Sequence, residues 1–146
     1  MCIRDSRTIV YYFPNKDDLV RQVLLSFGAQ LQHLLDEAFG TEPLRPDDLA
    51  ARAWPLLTTP EADGTFAIFF ELVGLASAGR SPFAELARAF VEGWIDWLEP
   101  HLAVAGAERR DRALALVAVL DGLLLLRQVS GPDASAVAAR RLGILA

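Results

Sequence analysis

From Ala113 to Leu126 the chain is apolar apart from one ionisable residue, Asp121, and the run is flanked by Arg112 and Arg127. Wound at 3.6 residues per turn, such a run shows apolar side chains on every face, and each face then has to be covered. A membrane is not expected to supply the cover, because the uninterrupted stretch falls short of the ~18 residues that a transmembrane helix needs. The cover then comes from the rest of the chain or from a second copy of it through an isologous interface. Read as a dimerisation helix, the run implies a homodimer with Leu116, Leu120, Leu123, Leu124 and Arg127 at the interface. A central core helix in a monomer fits the same pattern. The chain can bury a core in either case. Its 146 residues suit one domain, and 53% hydrophobic against 23% charged residues, with mean hydropathy +0.28, is too apolar for disorder.

Helical punctuation repeats along the whole length. Asn15 reads as the cap of a first long helix, with Asp17 and Asp18 where the helix dipole favours negative charge. Its apolar stripe is Val20, Val23, Leu24, Phe27, Leu31, Leu34, Leu35 and Ala38, and Gly40 ends it. Asp47 and Asp48 introduce a shorter helix that Pro55 is expected to kink or end. Thr59-Pro60 and Ser81-Pro82 each read as a cap followed by a first turn. The helix after Thr59 runs to about Gly79, and the one after Ser81 carries Phe83, Leu86, Phe90, Trp94 and Leu98, with Pro100 bending its last part before Gly106. Glu108 to Val129 and a terminal helix from Asp133, separated by Gly131-Pro132, complete the series. No alternating strand pattern interrupts them. The expected fold is all-α, a bundle of about six helices.

Charge is divided unevenly, with +2 on residues 1–16 and −7 on residues 17–146. An acidic body argues against nucleic-acid binding across the main domain, where a basic face would be needed to neutralise phosphates. One cysteine, Cys2, leaves no intramolecular disulfide and no multi-cysteine zinc site. Without a signal-like opening, a reducing cytoplasm is the expected location.

Against this background, Thr8-Ile9-Val10-Tyr11-Tyr12-Phe13-Pro14-Asn15-Lys16-Asp17-Asp18-Leu19 resembles the junction between the recognition helix and the next helix of TetR-family transcriptional regulators. The run Arg112 to Leu126 is similar to their penultimate, dimerising helix. The resemblance implies a ligand-binding and dimerisation domain over residues 16–146. It also implies that residues 1–15 are a remnant of a helix-turn-helix DNA-binding domain, most of it missing and residues 1–5 unlike it. Val10 stands where the family has an aromatic. By the same resemblance the intact protein is a DNA-binding repressor controlled by a small lipophilic or aromatic effector, with Thr8, Tyr11, Tyr12 and Lys16 touching operator DNA through its backbone. The chain as given is not expected to bind an operator specifically, because base readout needs a braced recognition helix.

The middle helices are rich in aromatic residues, and Trp54, Phe66, Phe69, Phe70, Phe90 and Trp94 are the candidate lining of an effector pocket between helices. Plain core is the alternative for any one of them. His33, Glu71, Asp96, His101 and Asp121 are polar groups near apolar faces, but their spacing makes no metal signature, and neither metal nor cofactor is expected. Asp121 reads as a carboxylate satisfied by Arg127 or by Arg112 of a neighbouring chain. No nucleophile elbow, P-loop, dinucleotide loop or carboxylate pair is present, so an enzyme is not expected. The rival to the regulator is a helical protein-protein interaction module with no small-molecule pocket. A cavity among Trp54, Phe70 and Trp94 separates the two.

Overall fold

In the computed structural model, residues 15–146 are described, and they form an all-helical bundle. Six helices follow one another: α1 (Lys16–Phe39), α2 (Pro46–Leu57), α3 (Pro60–Ser77), α4 (Phe83–Leu98), α5 (Gly106–Ser130) and α6 (Pro132–Arg141). No strand forms among the described residues. A single parallel bridge joins Leu44 to the turn after α4, with Leu44 N–H donating to the His101 carbonyl at 2.8 Å and Ala103 N–H donating to the Leu44 carbonyl at 2.8 Å.

Local chemistry sets the helix ends. The Asn15 side chain accepts from the Asp18 N–H at 2.7 Å and satisfies one of the free donors of the first turn of α1. Gly40, at φ 76°, stops that helix in a conformation a side chain would resist. Thr59 caps α3 by accepting from the Ala62 N–H at 3.1 Å, with Pro60 in the first turn. Pro55 neither ends nor breaks α2 at its own position, for the helix continues to Leu57. There the Thr58 hydroxyl donates to the Trp54 carbonyl at 2.9 Å and satisfies one of the terminal acceptors. The long fourth helix is shorter than expected. It stops at Leu98, and Pro100 sits in a single 3-10 turn, Glu99–His101, that drops Leu102 into the core.

One stripe of α1, namely Leu24, Gly28, Leu31, Leu35 and Phe39, is buried against α2 and α3. Leu34, expected on that stripe, faces out instead, one position off its centre. At Gly28 the helix lies against α4, and a β-carbon there would stand 3.6 Å from the Phe90 ring and 3.8 Å from the Trp94 indole nitrogen. The middle of the bundle is α5, which packs on α2, α3, α4 and α6. It is 25 residues long, and its most apolar window has mean hydropathy 1.8, so by length and composition it could cross a membrane, which the run between the two arginines had not suggested. Ala113, Leu116, Leu120, Leu123 and Leu124 nevertheless pack it into the chain's own core.

That placement corrects the expected interface. Leu116, Leu120, Leu123 and Leu124 recur at the spacing of the face turned to α2, α3 and α4, so they are buried without any second chain. Arg127 is also committed internally. Its guanidinium donates to both Asp63 carboxylate oxygens at 2.6 and 2.8 Å and to the Thr58 carbonyl at 3.1 Å, leaving the side chain 14% exposed. The outward face of α5 carries a different set, Leu114, Val119, Leu125 and Val129, together with Ala115, Ala118 and Gly122. Val137 and Leu142 beside them on and after α6 are exposed as well.

Candidate functional site

A cavity of about 90 Å³ opens where α1, α2, α3, α4 and α5 converge. Each helix contributes from its buried stripe: Leu24, Phe27, Leu31, Leu35 and Phe39 from α1, Leu49, Ala53 and Leu57 from α2, and Phe90, Val91, Trp94, Trp97 and Leu98 from α4. Phe66 and Phe69 come from α3, and Val117, Leu120 and Leu124 from α5. Aromatic rings form a continuous wall. Phe69 to Phe90, Phe90 to Trp94 and Trp94 to Trp97 have centroid separations of 5.4, 6.4 and 5.3 Å, and Phe39 adjoins Trp97 at 6.0 Å. Tilted and edge-on contacts are the arrangements that aromatic quadrupoles favour.

Two lining residues break the apolar surface, Thr65 on α3 and Asp121 on α5. Asp121 makes no hydrogen bond or ion pair with the other described residues, and its burial among apolar neighbours pushes the carboxyl up to about 6. The expected partner Arg127 lies on the same helix but turns to Asp63, whose carboxyl is held below its ordinary value by that hydrogen bond. Arg112 is exposed.

Of the six expected pocket residues, Phe66, Phe69, Phe90 and Trp94 line the cavity. Trp54 and Phe70 do not. Trp54 is buried in the main core around α2, and Phe70 points to the junction of the two apolar clusters, against Phe69 at 5.4 Å. Neighbouring residues on a helix point about 100° apart, and here α3 is rotated so that Phe69 faces the cavity and Phe70 is turned away from it. Phe27, Phe39, Thr65 and Asp121 were not anticipated in the pocket. The first two belong to the stripe of α1 already visible in the sequence, and only the folding of that stripe over the middle helices makes it a wall.

The remaining polar candidates lie elsewhere. Lys16 is exposed and pairs with Glu71 of α3 at 3.7 Å, which ties the start of α1 to the middle of α3. Thr8, Tyr11 and Tyr12, with the whole of residues 1–14, fall outside the described residues. His101 meets Asp36 at 3.1 Å and packs against Phe39 and Trp97, His33 is exposed beside Glu37, and Asp96 is held by Arg110, which also pairs with Glu92. No cluster of metal-ligating side chains occurs among the described residues. Comparison with family models, with curated proteins and with solved structures returns no match.

Proposed function

We propose that this chain is the effector-binding and dimerisation region of a TetR-like DNA-binding transcriptional regulator, a repressor controlled by a small lipophilic ligand. The observation that carries this reading is the aromatic-walled cavity and its relation to α1. Five residues of α1 line the cavity, and the helix begins at Lys16, directly behind the Thr8–Asn15 segment that resembles the end of a recognition helix. A ligand entering a space of about 90 Å³ has to displace side chains, and those of α1 are among them. Movement of a rigid helix is one way in which a small change at an effector site reaches a distant surface.

The outward face of α5 supports a homodimer. Val129, Leu125 and Val137 are 77%, 48% and 52% exposed, and together with Leu114, Val119 and Leu142 they make an apolar surface across α5 and α6. Ala118 and Gly122 at its centre allow a second helix to approach closely. The same face would serve an interaction module, but such a module has no use for the cavity.

Three measurements test the proposal. Light scattering of the chain at micromolar concentration is expected to give a dimer, and titration with small hydrophobic compounds is expected to change tryptophan emission, since Trp94 and Trp97 line the cavity. The full gene product should shift DNA from upstream of its own gene, and the ligand should release it. A monomer that binds no hydrophobic compound, or a gene product indifferent to DNA, would overturn the reading.

A further inference from the structure

Among the described residues, one ionisable side chain lines the cavity, and it has no partner there. Asp121 makes no ion pair or hydrogen bond with the other described residues, while Arg127, less than two turns further along α5, is committed to Asp63 and the Thr58 carbonyl. The residues facing the cavity from α1, α2 and α4 are apolar or indole-bearing, and α3 adds only the uncharged Thr65 beside two phenylalanines. An unpartnered charge in largely apolar surroundings is unfavourable, and it is relieved by protonation, by water that reaches the carboxylate or by a bound counter-charge. The aromatic wall of the same cavity is an independent feature that points to an apolar body joined to such a counter-charge. Ring surfaces bury an alkyl chain, and Phe69, Phe90, Trp94 and Trp97 form one linked set on the cavity wall.

Building on the effector reading above, we propose that the cavity selects a small lipophilic ammonium ion, its head on the Asp121 carboxylate and its alkyl body against the aromatic wall. An alcohol of the same shape can donate to Asp121 but brings no compensating charge, and a carboxylate is repelled. A short alkylammonium enters a space of about 90 Å³ with limited displacement of the lining side chains, and a bulky one requires more. Asp121 is pushed up to about 6 by burial in the free protein, and a cation beside it draws that value down, so binding releases a proton below pH 6. Asp63, the carboxylate on the neighbouring helix end, is held low by Arg127 and does not titrate in that range.

The probes are n-butylammonium, n-butanol and butyrate, titrated against the dimer by tryptophan emission and by NMR shifts of the Trp94 and Trp97 indole signals. Butylammonium is expected to bind at least tenfold more tightly than butanol at pH 7.5, and butyrate not at all. Its affinity should fall about tenfold between pH 7.5 and 5 while that of butanol stays constant. Asp121→Asn, checked for native circular dichroism, should bring butylammonium and butanol to within threefold of each other. Equal binding of amine and alcohol to the unmodified protein, or an amine preference that survives Asp121→Asn, would overturn this inference while leaving the cavity as an effector site. Failure of all three probes to perturb the indole signals would overturn both.

Discussion

Replacing Asp121 with asparagine should stabilise the free protein at neutral pH, against the usual expectation for a substitution at a half-buried position. The carboxyl titrates near 6 in the folded chain and near 3.8 when unfolded, so between those values the folded state holds more proton than the unfolded state. Stability from this group is therefore greatest below pH 3.8, falls as pH rises, and is gone above pH 6. At 1.36 kcal/mol per pK unit the loss amounts to about 3 kcal/mol, roughly half of it by pH 5. Asparagine has the shape of the protonated acid and no charge to desolvate, so Asp121→Asn should match the parent near pH 4 and exceed it by about 2 to 3 kcal/mol at pH 7.5. Urea unfolding followed by tryptophan emission at pH 4, 5, 6 and 7.5 measures this, at one protein concentration because a dimer adds mass action. All other titrating groups are common to both proteins and cancel in the difference. If the two proteins keep a constant stability difference across the four pH values, the carboxyl is not desolvated in the cavity and the reasoning fails.

Arg127→Ala should cost about 1 to 3 kcal/mol in the same assay, because it leaves Asp63 and the Thr58 carbonyl without their donor. Asp63 is partly exposed, which puts the value toward the lower end, and the parent's advantage should shrink as pH falls below 4 and Asp63 takes up a proton. Gly28→Ala should stabilise by about 0.5 to 1 kcal/mol through helix propensity, since the added methyl meets Phe90 and Trp94 at ordinary contact distance, and a loss of more than 1 kcal/mol would show that the close approach of α1 and α4 has no slack. Leu124→Glu should abolish cooperative unfolding, whereas Leu125→Glu should leave the helical circular dichroism intact and convert the dimer to monomer in light scattering. Dimer persisting with Leu125→Glu would move the interface off this face.

Much of the bundle was legible because short-range chemistry decides it. Asn15 with Asp18, Thr59 with Pro60, and Gly131 with Pro132 each set a helix boundary from within a few residues, and the structure uses all three. Pro100 does more than bend the helix, because a proline in the first turn of a 3-10 segment lets the chain leave α4 at Leu98, two residues before the proline. The cavity was legible in part for a different reason. Composition shows that α3 and α4 carry more rings than a tight core needs, but which rings face the gap depends on rotation about each helix axis. Trp54 and Phe70 are as aromatic as Phe90 and Trp94, and no local signal distinguishes them. Asp121 stands out in the sequence, but the partner that sequence proximity suggests, Arg127, goes in the fold to Asp63, a residue far from it in the chain.

The interface residues illustrate the limit most clearly, and the same limit explains how α5 can serve two surfaces. A helix apolar on every side gives no periodic signal, so either of its faces could have been the outer one. The fold decides by how the helix is turned about its axis. Ala113 and the leucines at 116, 120, 123 and 124 face α2, α3 and α4, and Leu114, Ala115, Ala118, Val119, Gly122 and Leu125 are left outside. Asp121 and Leu124 face the cavity while Gly122 and Leu125, one position further along, face out. Close packing makes such a helix rigid across its width, so it responds to a load by shifting or rotating as a body rather than by local yielding. On the proposed reading, a cation seated on Asp121 acts on a helix whose adjoining outward face holds the second subunit. Effector affinity and dimer stability are then linked, and each must change the other by the same factor.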